Sequence, residues 1–92
     1  MTLPLTTHAT IRLQQSGIAP WFVDLLVRHG DTAHDDHGAT LKYVSKATRR
    51  RLAQVLTRHE YARAERWFDV YAVVSHDQCV VTAAHRTRRH LH

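Results

Sequence analysis

The chain is poor in the residues that build covalent or cofactor-based sites. One cysteine, Cys79, stands among 92 residues, which excludes an internal disulfide and a cysteine-rich zinc module. It lies in an apolar, β-branched run, where a thiol is expected to behave as a small buried hydrophobe. Three glycines leave no room for a glycine-rich phosphate loop, and neither a dinucleotide-binding pattern nor a serine-hydrolase elbow occurs. Nucleotide cofactors are therefore not expected, and neither is any other cofactor. No stretch approaches the roughly 20 apolar residues that span a bilayer, and Met1 to Thr10 lacks the charged and apolar regions of a secretory leader, so a cytoplasmic protein with no membrane partner is expected. No internal repeat and no low-complexity segment interrupts the chain.

Charge is what the sequence does have. Thirteen Lys and Arg against eight Asp and Glu give a formal net charge of +5, with nine histidines besides. The distribution is uneven. Residues 1–45 hold Arg12, Arg28 and Lys42 against Asp24, Asp31, Asp35 and Asp36, a net of −1, whereas residues 46–92 carry a net of +6. Such asymmetry predicts a basic face that attracts a polyanion through counterion release: a phosphate backbone, RNA more than DNA, or an acidic protein. With 43% hydrophobic residues the chain is far from the disordered range and long enough for one modest core, so residues 1–92 read as one domain with 86–92 as a basic tail.

Thr6 or Thr7 can cap a first helix running through Ser16, with Gly17 as its left-handed terminator. Pro20 opens a second, whose Phe22, Leu25, Leu26 and His29 recur at helical spacing before Gly30. Asp31 to Gly38 reads as a polar loop, and Ala39 to Val44 as a strand. Ser45 can cap a third helix with Leu52, Val55, Leu56 and His59 on its apolar stripe. Trp67 to Ser75 and Gln78 to Ala84, separated by His76 and Asp77, read as a β-hairpin. The predicted class is α+β in the order ααβαββ, with a small, mainly antiparallel sheet.

Two constellations suit phosphodiester chemistry. His8, Arg12 and Gln15 fall at i, i+4 and i+7, on one helix face, where a histidine can move a proton at neutral pH and an arginine can offset charge growing on phosphorus. In the last strand, alternation sets Thr82, Ala84 and Arg86 on one face and Ala83 and His85 on the other. The bland alternatives are a polar outer helix face and a solvated basic end. Arg49, Arg50 and Arg51 diverge by about 100° each around a helix, which suits phosphate contact rather than catalysis; Arg58, Arg88 and Arg89 belong to the same nucleic-acid-binding set. His34 and His37 beside Asp35 and Asp36 have metal-ligand spacing, but a loop of small polar residues offers no rigid support, and no metal site is expected. Trp21, Trp67, Phe68, Tyr43 and Tyr71 are expected to pack in the core or on the sheet; an exposed pair among them would read as a base-stacking platform.

The stretch His8-Ala9-Thr10-Ile11-Arg12 through Gly17-Ile18, with Trp21 to Leu26 and Gly30, resembles a group of short bacterial proteins with the pattern His-Ala-x-x-Arg followed by Gln-Arg-Gly-Ile. The similarity continues at Asp36 to Ala39 before Tyr43, at Arg49 to Leu52, at Asp69 to Val73, and at Val80 to Thr82 with His85 and Arg86. By analogy this group is similar to the RelE-like and BrnT-like toxin fold, in which helices precede an antiparallel sheet. That resemblance implies a metal-independent ribonuclease with His8, Arg12, Thr82, His85 and Arg86 at the matched positions. Ser16 departs from the pattern, which has an arginine there. The expected function is thus a small RNA-interacting domain, toxin-like and possessing or lacking ribonuclease activity; the alternative is a non-catalytic module docking on nucleic acid or an acidic protein.

Overall fold

Four helices and four strands follow one another as ααββααββ in the computed structural model, which describes residues 4–34 and 38–86. The α+β class and the antiparallel sheet are as expected, and the order contains two elements more. Helix α1 (Thr7–Ser16) begins where the Thr6 hydroxyl accepts the Ala9 N–H, and ends at Gly17, whose φ of 70° lies in the left-handed region. Helix α2 (Pro20–His29) starts on its proline and ends at Gly30. A Cβ on Gly30 would stand 2.4 Å from the Leu26 carbonyl oxygen and 2.9 Å from that of Tyr43, so only glycine lets the chain turn here against the next strands.

The first additional element is strand β1 (Asp31–His34), in a segment that reads as loop. It pairs antiparallel with β2 (Thr40–Tyr43), from Asp31 opposite Tyr43 to His34 opposite Thr40. Pairing, which local propensity does not register, makes it a strand. The second arises because the expected third helix breaks in two. Helix α3 (Lys46–Val55) is capped by Ser45, and α4 (Arg58–Glu65) opens with a capping box in which Thr57 and Glu60 each satisfy the other's backbone N–H. With the break at Leu56, Val55 is left 56% exposed rather than on an apolar stripe, and His59 is exposed.

Strands β3 (Val70–Val74) and β4 (Val80–His85) form the expected hairpin, closed by a turn in which the Ser75 N–H donates to the Cys79 carbonyl and Gln78 takes a φ of 67°. Both strands are shorter than expected, because Trp67 and Phe68 enter the core from the α4–β3 connection and the turn takes residues as far as Cys79. Cys79 sits half-buried in the turn, not fully buried. The sheet order is β1-β2-β3-β4, antiparallel throughout, with a register shift between Val73 and Val74.

One core holds these layers together. Ala9, Leu13, Ile18, Phe22, Leu26, Leu52 and Trp67 pack with Val70, Ala72, Val74, Val80 and Ala83, all buried. The strand members of that core share one face of the sheet, since residues paired across antiparallel strands point the same way. Helix α1 lies along β4: Leu5 bridges to Val80, the Thr6 N–H donates to the Val80 carbonyl at 3.0 Å, and at the far end the Trp67 indole N–H donates to the Gly17 carbonyl at 3.2 Å. No described helix is long and apolar enough to cross a membrane.

Candidate nucleic-acid interface

Alternation along β2 is inverted relative to the core. Thr40 pairs with Val74 and Lys42 with Ala72, so the polar residues of β2 share the face that the helices cover, and Leu41, paired with Val73, points to the other. Carried one residue further, the same register sets Tyr43 opposite Tyr71. The face away from the core therefore carries two rows: Asp31, Tyr43, Tyr71 and Ala84, then Ala33, Leu41, Val73 and Thr82. Leu41, Tyr43, Tyr71, Val73 and Thr82 are all half-buried. An uncovered sheet face is ordinarily polar; here it is aromatic and aliphatic at its centre. Tyr43 and Tyr71 thus pack on the sheet, partly buried, and not in the core.

Arg86 follows β4 on this same face, with its guanidinium 5.8 Å from the centroid of the Tyr43 ring. Its position is fixed by Asp69. The Arg86 N–H donates to the Asp69 carbonyl at 2.8 Å, while His85 Nδ1 donates to the Asp69 carboxylate at 2.9 Å. A carboxylate only accepts, so Nδ1 carries the proton and Nε2 is the free ring nitrogen. The pair is open to solvent, with side-chain exposures of 42% for His85 and 49% for Asp69. Asp69, which the sequence reading did not single out, is thus the residue that organises the end of β4.

The expected catalytic set is divided between α1, which carries His8 and Arg12, and β4 with the residue after it, which carry Thr82, His85 and Arg86. His8 and Arg12 are exposed, beside the buried stripe of Ala9 and Leu13, and α1 starts beside Val80. His85 is at the other end of β4, roughly 16 Å away at about 3.3 Å per strand residue. Thr82 and Arg86 lie together on the uncovered face, and His85 flanks Arg86 from the helix side, as strand alternation predicts.

The arginines of α3 have different occupations. Arg49 stacks over the Phe68 ring at 5.0 Å. Arg51 donates to the His29 carbonyl at 3.2 Å and to the Thr48 hydroxyl at 3.1 Å, bracing α3 against the end of α2. Arg50 and Arg58 are exposed, and Arg88 and Arg89 lie outside the described residues, as does His37. Beneath Arg51, the Asp31 carboxylate accepts from the Thr48 hydroxyl, from the Ser45 hydroxyl at 2.8 Å and from the Ser45 N–H at 3.2 Å. The Thr48 bond is the largest of the influences that hold its pKa below the ordinary 3.8. No group of three metal-ligating side chains converges among the described residues.

A 280 Å³ groove lies between α2 and α4, lined by Trp21, Asp24, Leu25, Arg28, Leu56, Glu60 and Arg63. Its charges are mutually balanced. Asp24 pairs with Arg28 at 3.2 Å, its second oxygen is buried without a partner, and Arg63 stacks over Trp21 at 5.1 Å. Glu60 is occupied by the capping box, where the Thr57 backbone N–H holds its carboxyl below the usual range. Comparison with protein families, with curated proteins and with solved structures finds no match to this chain, so function is argued from its own residues.

Proposed function

We propose that the protein binds RNA through arginines that the fold leaves without acidic partners. One observation carries this: of the nine described arginines, Arg28 alone makes an ion pair with a carboxylate. Four others, Arg49, Arg63, Arg66 and Arg86, lie over the rings of Phe68, Trp21, Trp67 and Tyr43, between 5.0 and 5.8 Å from the centroids. Stacking fixes the plane of a guanidinium while its N–H edge remains free to fork a phosphate. RNA, in preference to DNA, follows from the resemblance to toxin ribonucleases. Fluorescence anisotropy with labelled RNA across a salt series is the test. Affinity should fall steeply between about 50 and 200 mM salt, and Arg50→Ala or Arg86→Ala should each lower the slope of log K against log salt by about one. Binding that ignores salt, or salt-sensitive capture of an acidic polypeptide with none of RNA, contradicts the proposal.

A second function, metal-independent RNA cleavage, is favoured by the Asp69–His85 pair alone. With Nδ1 held by Asp69, the free Nε2 of His85 is the nitrogen that can take a proton from a ribose hydroxyl. The separation of His8 from His85 then makes a sharp distinction. Cleavage in chelator should be lost in His85→Gln and retained in His8→Gln; the opposite pattern would transfer the chemistry to α1.

A further inference from the structure

The sheet face away from the core presents an unusual surface for a chain this basic: Tyr43 and Tyr71 on neighbouring strands, with Leu41, Val73 and Thr82 in the next row and Arg86 at one margin. We propose that this face is a stacking platform for two unpaired bases, so that the RNA it takes is single-stranded. The inference rests on the RNA-binding function for the identity of its ligand, but on a different observation. A duplex hides its base faces, whereas a single strand offers them to flat aromatic surfaces on a sheet. Half-exposed tyrosines on neighbouring strands are spaced as adjacent residues of a sheet, close enough for consecutive nucleotides.

Arg86 marks how the platform is occupied. Its guanidinium lies over Tyr43, 5.8 Å from the ring centroid, in the place where a base would stack. On binding, the base takes the tyrosine face and Arg86 stays within reach of the phosphate beside it. Asp69 holds the backbone of Arg86 and the ring of His85, so the cation is delivered to the margin of the platform and not left to the solvent. Charge complementarity selects the occupant: an apolar row bordered by Arg86 suits a base-bearing polyanion better than a second copy of a chain with net charge +5.

The test compares a labelled eight-nucleotide RNA, the same strand annealed to its complement, and inorganic polyphosphate. Wild type should bind the single strand at least tenfold more tightly than the duplex. Tyr43→Ala with Tyr71→Ala should reduce single-strand affinity by about a hundredfold while leaving the weaker duplex and polyphosphate binding unchanged. Tyr43→Phe with Tyr71→Phe, which keeps both rings, should restore it, and this variant guards against misreading a folding defect. Equal binding of single strand and duplex overturns the platform, as does an alanine double variant with undiminished affinity; in both cases salt-dependent RNA binding itself would survive. A wild-type protein that binds no RNA but sediments as a dimer, dissociated by the alanine pair, overturns both and assigns the face to a second copy.

Discussion

The two faces of the sheet are built from the same kinds of residue and put to different uses. On one, Val70, Ala72, Val74, Val80 and Ala83 are at most 4% exposed under the helices. On the other, Leu41, Tyr43, Tyr71 and Val73 are no less apolar and are only partly buried. Strand β3 shows the contrast within five residues, since every position is apolar and only alternate ones are buried. Solvation does not explain that choice of residues. A sheet covered on one side would be cheaper to keep soluble with polar residues on the other, so an aromatic row there points to a surface kept for a partner.

The largest effect that separates the faces is on stability. Phe22→Ala, on the covered side, removes a ring that is completely buried between Trp67 and Phe68 and should lower unfolding free energy by about 3–5 kcal/mol. Tyr71→Ala should cost about 1 kcal/mol or less in urea denaturation and be felt in RNA binding instead. Equal destabilisation by the two would show that the open face is structural. Next comes Gly30→Ala, where the added carbon meets two backbone oxygens and helix α2 or strand β2 must move; a loss of about 2 kcal/mol or more in the same assay is expected.

Asp31 provides a test in pH. Its carboxylate joins β1 to the start of α3 through Ser45 and Thr48, so Asp31→Ala should cost about 2 kcal/mol at neutral pH. Because the folded pKa is depressed, this contribution is fully present above the unfolded value of about 3.9 and is lost as pH falls through the folded value. Wild type and variant should therefore converge in stability as pH falls through the folded value of Asp31. The smallest effect is expected at the exposed Asp69–His85 pair. Asp69→Asn should change stability by less than about 1 kcal/mol, which thermal melts can confirm, whatever it does to RNA.

Local chemistry made much of the helical half legible in advance. Thr6, Gly17, Pro20 and Ser45 stand at helix ends because each satisfies a backbone requirement that adjacent residues define. The Thr57 to Glu60 capping box was present in the sequence too, and it is the signal that divides α3 from α4. What could not be read locally depends on distant partners. Asp31 to His34 is a strand only because Thr40 to Tyr43 lies beside it, and the outward orientation of Leu41 and Tyr43 is set by their register with β3. Of the candidate site, Thr82, His85 and Arg86 were placed correctly by alternation within one strand. That α1 starts at the Val80 end of β4, with His8 in its first turn, follows from the path of the chain, which no spacing within the helix encodes.

Mapping the contact surface by nuclear magnetic resonance would address the open face most directly. A backbone amide spectrum recorded as unlabelled single-stranded RNA is added should shift Leu41, Tyr43, Tyr71, Val73, Thr82 and Arg86 together, with α1 unchanged. Shifts confined to His8, Arg12 and their neighbours on α1, with the sheet undisturbed, would contradict it.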